Sequence, residues 1–124
     1  MRRFALALAG AVCFLSPHVP AAAAQADAQA EIAGLIAALD ASDCRFERNG
    51  KWYGAAEARS HLQRKYDWLR KRNMAATAEQ FIERAASESS VSGRPYHVQC
   101  PGQARQASAD WFRQQLRRLR ATAK

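Results

Sequence analysis

Three cysteines, three histidines and no long apolar run set the first limits on this 124-residue chain. The longest apolar stretch, residues 4–15, falls short of the roughly 20 residues a membrane-spanning helix needs. No second such stretch follows, so no membrane-spanning segment is expected after the N-terminus. No C-x-x-C pair is present, which argues against a thioredoxin-like redox site, and no G-x-S-x-G element marks a nucleophile elbow. The histidines and cysteines show no recognisable metal-ligand spacing, so a zinc site would have to recruit carboxylates. The residues therefore name no catalytic set, metal or cofactor.

What is present begins at the N-terminus. Arg2 and Arg3 precede the apolar stretch, Pro17 and Pro20 follow it, and the small residues Ala21, Ala22, Ala23 and Ala24 come next. A basic start, an apolar segment of about a dozen residues and an Ala-x-Ala site together read as a secretory signal peptide. The expected organisation is a signal peptide over 1–24 and a single exported domain over 25–124, cut after Ala24 and periplasmic. Cys13 leaves with the leader. Val12 before it is not the small residue that a lipidation site requires.

The remaining 100 residues keep Cys44 and Cys100, and an even pair in a small exported domain reads as a disulfide. Losing Arg2 and Arg3 lowers the formal charge from +8 to +6, since the leader holds no acid. In that compartment positive charge meets lipid head groups, acidic envelope polymers or acidic proteins sooner than nucleic acid; it also serves plain solubility.

Periodicity places the elements. Ile32, Leu35, Ile36 and Leu39 have the i, i+3, i+4, i+7 spacing of an amphipathic helix over residues 26–41. Asn49-Gly50, flanked by Arg45-Phe46-Glu47-Arg48 and Lys51-Trp52-Tyr53, is the strongest short-range signal for a hairpin. A second helix is expected over residues 55–71, with Ala55, Ala58, Leu62, Tyr66 and Leu69 on one face, His61, Lys65 and Trp68 on its flank, and Asn73 as its stop. Thr77 and Gln80 form a capping box for a third helix carrying Phe81, Ile82 and Ala85. Residues 96–100 read as a third strand with His97 facing away from Tyr96 and Val98, and Ser108 is expected to cap a last helix over residues 109–121. The fold class is thus α+β: a mostly helical small domain of about four helices and a three-stranded antiparallel sheet, with one disulfide.

Cys44-Arg-Phe-Glu-Arg-Asn-Gly-Lys-Trp-Tyr, the following Ala-Glu-Ala-Arg-Ser-His-Leu-Gln-Arg-Lys and the later Phe81-Ile-Glu-Arg-Ala-Ala-Ser-Glu-Ser-Ser-Val-Ser-Gly-Arg-Pro-Tyr resemble the YfeK-like proteins, a family of small bacterial periplasmic proteins of unknown function. The resemblance covers nearly the whole mature chain. It implies export and a compact disulfide-bonded domain, and it carries no activity, cofactor or catalytic residue.

The segment Ser87-Glu88-Ser89-Ser90-Val91-Ser92-Gly93-Arg94 offers hydroxyls and backbone N–H groups to an anion, or else closes a helix and builds a turn. The candidate ligand site joins it to the second helix: His61, Lys65, Ser90, Ser92, Arg94 and Tyr96, suited to an anionic or carbohydrate group. Trp52, Tyr53, Trp68, Tyr96 and Trp111 either line a groove or fill the core. Trp111, Phe112, Leu116 and Leu119, with Arg113, Arg117, Arg120 and Lys124 beside them, either lie on an anionic membrane surface or dock on the domain with the arginines solvated. The leading functional expectation is a non-enzymatic binding or structural module for an envelope component or a periplasmic partner protein. The alternatives are a small hydrolase or transferase using His61 with a serine-loop hydroxyl, and a membrane-surface protein using the last helix.

Overall fold

A computed structural model describes residue 7, residues 9–18 and residues 20–123. Arg2 and Arg3 of the expected leader, and Lys124 of the basic stripe, lie outside the described residues. Eight elements follow in the order α1 (Ala21–Ala41), β1 (Arg45–Arg48), β2 (Lys51–Tyr53), α2 (Ala55–Arg70), α3 (Ala78–Ala85), β3 (His97–Gln99), β4 (Gln106–Ala107) and α4 (Ser108–Thr122). α1 starts at Ala21 rather than at residue 26. Residues 21–27 are exposed, so the alanine-rich stretch is helical through intrinsic preference alone, and burial begins at Ala28.

The sheet has four strands in the order β2-β1-β3-β4, all antiparallel, so the expected count of three is corrected to four. The added strand β4 has only two residues, too short for any alternation to mark it, and pairs His97 with Ala107 and Val98 with Gln106. β3 is also shorter than expected; Tyr96 and Cys100 flank it. Because β4 runs directly into α4, Ser108 is the first helical residue and not the cap. Its backbone N–H donates to the Tyr96 carbonyl at 2.9 Å, and among the described residues its fully buried Oγ has no partner.

Other local signals hold. Asn49 (φ 51°) and Gly50 (φ 80°) make the hairpin turn, with Arg48 opposite Lys51. Asn73, at φ 55°, ends α2 in a Schellman motif: its N–H donates to the Arg70 carbonyl and that of Met74 to the Leu69 carbonyl. Thr77 Oγ1 accepts from the Gln80 N–H, while Gln80 Oε1 reaches past the cap to the N–H of Ala76.

Ile32, Leu35 and Leu39 of α1, Leu62 of α2, Phe81 of α3 and Phe112 of α4 form one core with Phe46, Tyr96 and Val98 of the sheet side. Cys44 and Cys100 are bonded, with Cα atoms 4.0 Å apart, and tie the start of β1 to the end of β3. A cross-link over 56 residues removes about 4 kcal/mol of loop-closure entropy from the unfolded chain in the chain-entropy model. Replacing both cysteines by Ala should lower the melting temperature by roughly 15–30 °C, at about 4–8 °C per kcal/mol for a domain of this size. Reductant should lower the unsubstituted protein's melting temperature and leave the variant's unchanged; equal melting temperatures for the two oxidised proteins would contradict this.

Candidate functional site

Alternation along β1 sends Phe46 and Arg48 to the sheet face that meets α2, and Glu47 to the opposite face. On α2, His61 and Lys65 lie one turn apart on the flank beneath the hairpin. Tyr96, one residue before β3, comes in from the other side with its ring buried against Phe46, centroids 5.0 Å apart. These four positions converge. The Arg48 guanidinium lies 2.9 Å from His61 Nδ1, His61 Nε2 lies 3.2 Å from the Tyr96 hydroxyl, and Lys65 Nζ lies 3.2 Å from the same hydroxyl and 3.1 Å from the Glu88 carbonyl.

Arginine only donates, so Nδ1 of His61 must carry the lone pair that accepts from Arg48. The proton then sits on Nε2, which donates to the Tyr96 oxygen; this tautomer is assigned from the hydrogen-bond network. Protonation would set an imidazolium N–H against Arg48. Burial, then Arg48, Lys65 and Arg64, depress the His61 pKa to about 4. Burial and Arg48 lower Lys65 to about 8 against an opposing pull from Glu88. Burial raises the Tyr96 phenol above its ordinary value, against Arg48.

Two hollows meet at His61. One, of about 360 Å³, lies between the hairpin and α2, with Phe46, Arg48, Tyr53, Ser60 and Arg64 on its walls and one carboxylate, that of the exposed Glu57, among them. The other, of about 350 Å³, lies between α2 and the serine loop and is walled by Arg64, Lys65, Trp68, Leu69, Arg84 and Ser90. Among the described residues no carboxylate comes within 4.0 Å of the cationic groups of Arg48, Arg64, Lys65 or Arg84.

Of the residues expected at the site, His61, Lys65 and Tyr96 make direct contacts, and Ser90 lines the second hollow with the first two. Ser92 is drawn elsewhere: its Oγ donates to Asn49 Oδ1 at 2.6 Å, at the hairpin turn. Arg94 is exposed, and among the described residues its guanidinium has no hydrogen-bond partner. Turn-building accounts for most of the loop's hydroxyls. Ser87 Oγ donates to the Ile82 carbonyl, and the buried Ser89 Oγ accepts from the N–H groups of Val91 and Ser92 and from Asn49 Nδ2. Arg48, Arg64 and Arg84 were absent from the expected site. Arg48 had a legible signal, since it shares the inward face of its strand with Phe46.

The aromatic and basic candidates also separate. Tyr96 and Trp111 are core, Trp52 and Tyr53 half-buried, and Trp68 is 52% exposed with the Arg72 guanidinium 3.8 Å from its ring centroid. His97 faces away from the core, 3.0 Å from Glu47, which also holds Arg105. On α4, Trp111, Phe112 and Leu116 are buried against the domain. Arg120, expected to be solvated, bridges Glu31 of α1 at 2.7 Å and Glu79 of α3 at 2.6 Å. Among the described residues no helix is long and apolar enough to cross a membrane, and no three His, Cys, Asp or Glu side chains group as metal ligands.

Fold and site together define a small α+β domain with one disulfide and a cationic cluster between its hairpin and second helix. Residues 26–120 match a family of unknown function, DUF5329, and the chain belongs to that family. It is similar to the uncharacterized protein YfeK of Salmonella typhimurium (strain LT2), 44% identical over 69 residues. That alignment covers 55% of this chain and 56% of the relative, so the chain spans about half the length of the curated relative it matches. No solved structure matches.

The depressed His61 pKa links stability to pH. Between about 4 and 6.5 the unfolded chain binds a proton that the folded state refuses, so stability falls as pH drops through that window and levels below it. Urea midpoints of the protein and of His61→Gln, compared at pH 7 and pH 5, should show the larger loss in the unsubstituted protein. Equal losses would mean that His61 is protonated in the fold as readily as out of it.

Proposed function

We propose that the protein is an exported, periplasmic binding module, and that its ligand is an anionic, sugar-bearing component of the cell envelope. The observation that carries this reading is the run of cations around the two hollows, Arg48, Arg64, Lys65 and Arg84, with no carboxylate in ion-pairing range among the described residues. Clustered charge of one sign destabilises a fold, and an incoming anion relieves the repulsion. Trp68 and Leu69 add an apolar wall, and Ser90 a hydroxyl, which together suit a ring that carries its charge on a substituent.

The export part of the reading rests on the leader pattern over residues 1–24 and the bonded cysteines, which persist in an oxidising compartment. Among the described residues burial begins at Ala28, so removal of the leader takes away none of the buried ones.

Two other readings fit the geometry less well. A hydrolase built on His61 needs an imidazole nitrogen free to take the serine proton. Here Nδ1 accepts from Arg48, Nε2 holds the proton shared with Tyr96, and Ser90 makes no hydrogen bond to either. A membrane-surface role for α4 needs an apolar face toward lipid, and its apolar residues are docked on the core with Arg120 committed to two carboxylates.

Calorimetric titration with an oligogalacturonate and with a neutral maltooligosaccharide of equal length tests the reading. The acidic saccharide should bind, more weakly at higher salt, and the neutral one should not. Arg64→Gln and Lys65→Met should each weaken binding about tenfold or more, the effect of losing one charge-assisted hydrogen bond. Equal affinity for the two saccharides, or unchanged affinity in both variants, would overturn it.

A further inference from the structure

Lys65 has surroundings that accommodate a neutral amine as well as an ammonium. Its Nζ donates to two oxygens, the Glu88 carbonyl at 3.1 Å and the Tyr96 hydroxyl at 3.2 Å. An ammonium has three N–H groups to place; a neutral amine has two and a lone pair. Both protein acceptors are therefore satisfied by the neutral form, and the remaining tetrahedral position has no protein partner among the described residues. The side chain is half-buried on the wall of the hollow shared with Trp68, Leu69 and Ser90. Lys51 and Lys71, by contrast, are exposed.

The charged and titratable groups around Nζ come from every neighbouring element: Arg48 from β1, His61 and Arg64 from α2, Arg84 from α3 across the hollow, Glu88 from the serine loop, and Tyr96. The Tyr96 ring, with its centroid 4.9 Å from Nζ, favours the charged form, as does Glu88. Burial and Arg48 act the other way and prevail, so that the amine titrates near pH 8.

We propose that Lys65 is a nucleophilic amine and that the hollow between α2 and the serine loop takes a small aldehyde or ketone, whose carbonyl carbon condenses with Nζ to a reversible imine. The Nζ lone pair forms the C–N bond while the carbonyl π pair moves to oxygen. One amine proton passes to that oxygen to give a carbinolamine, and loss of water leaves C=N. No oxidant or reductant enters, and water reverses the step. The Tyr96 hydroxyl, within hydrogen-bond distance of Nζ, is placed to relay the proton. The inference uses the hollow assigned above to an anionic ligand and does not require the carbonyl compound to be charged.

The test is reductive trapping on the full chain, with glyoxylate and cyanoborohydride near pH 8 and rates read by peptide mapping at Lys51, Lys65 and Lys71. At that pH about half of a group titrating near 8 is free amine, against under about 1% of an ordinary lysine. Lys65 should accordingly be labelled roughly tenfold faster than either other lysine, or more, with a rate that climbs through pH 8; urea should erase the selectivity. Labelling spread evenly over the three, or faster at Lys51 or Lys71, would overturn the proposal. Acetaldehyde, uncharged, should show the same preference for Lys65. If glyoxylate then gains nothing over acetaldehyde at Lys65, the anionic-ligand reading fails while the amine stands.

Discussion

The ring of Tyr96, buried against Phe46, is the joint on which the rest of the site depends. Its N–H donates to the Ser87 carbonyl and so closes the serine loop; its carbonyl accepts from the Ser108 N–H and so sets where α4 begins. Its hydroxyl accepts from His61 and Lys65 of α2. One buried residue thus connects the sheet, two helices and the loop, and a phenol that is apolar at its body and polar at its tip suits that place. The disulfide reinforces it by holding Cys100 of the same segment against the start of β1.

From that joint the electrostatics follow. With Tyr96 fixed, α2 must present His61 and Lys65 to it, and the inward alternation of β1 brings Arg48 to the other side of the imidazole. A cation on one nitrogen of His61 and a phenol on the other leave it neutral across the ordinary pH range. The same crowding weakens the hold of Lys65 on its proton. Some arginines elsewhere meet acids, as Arg120 does between Glu31 and Glu79 and Arg105 at Glu47. Around His61 none does, and there Arg48, Arg64, Lys65 and Arg84 gather on the walls of two adjoining hollows.

The parts of the fold written in local patterns were legible in the sequence: the stripe of α1, the Asn49-Gly50 turn, the Thr77 cap, the Asn73 stop and the cysteine pair. The parts decided by packing were not. β4 has two residues and is defined only by its pairing with His97 and Val98 of β3; Ser108 lost its capping position because the strand continues to Ala107. At the site, helical spacing found His61 with Lys65, and strand alternation would have found Arg48. The roles of the serines depended on tertiary partners, since Ser92 and Ser89 turn toward Asn49, more than 35 residues away in sequence.

The protonation state of His61 tests this account most directly, because the donor and acceptor roles assigned to Arg48 and Tyr96 depend on a neutral imidazole with its proton on Nε2. Nitrogen-15 chemical shifts of the labelled imidazole, followed from pH 7 down to pH 5, should show Nε2 bearing the proton and Nδ1 without one throughout, with the midpoint near 4. An imidazolium already formed at pH 6, or the proton on Nδ1, would contradict it.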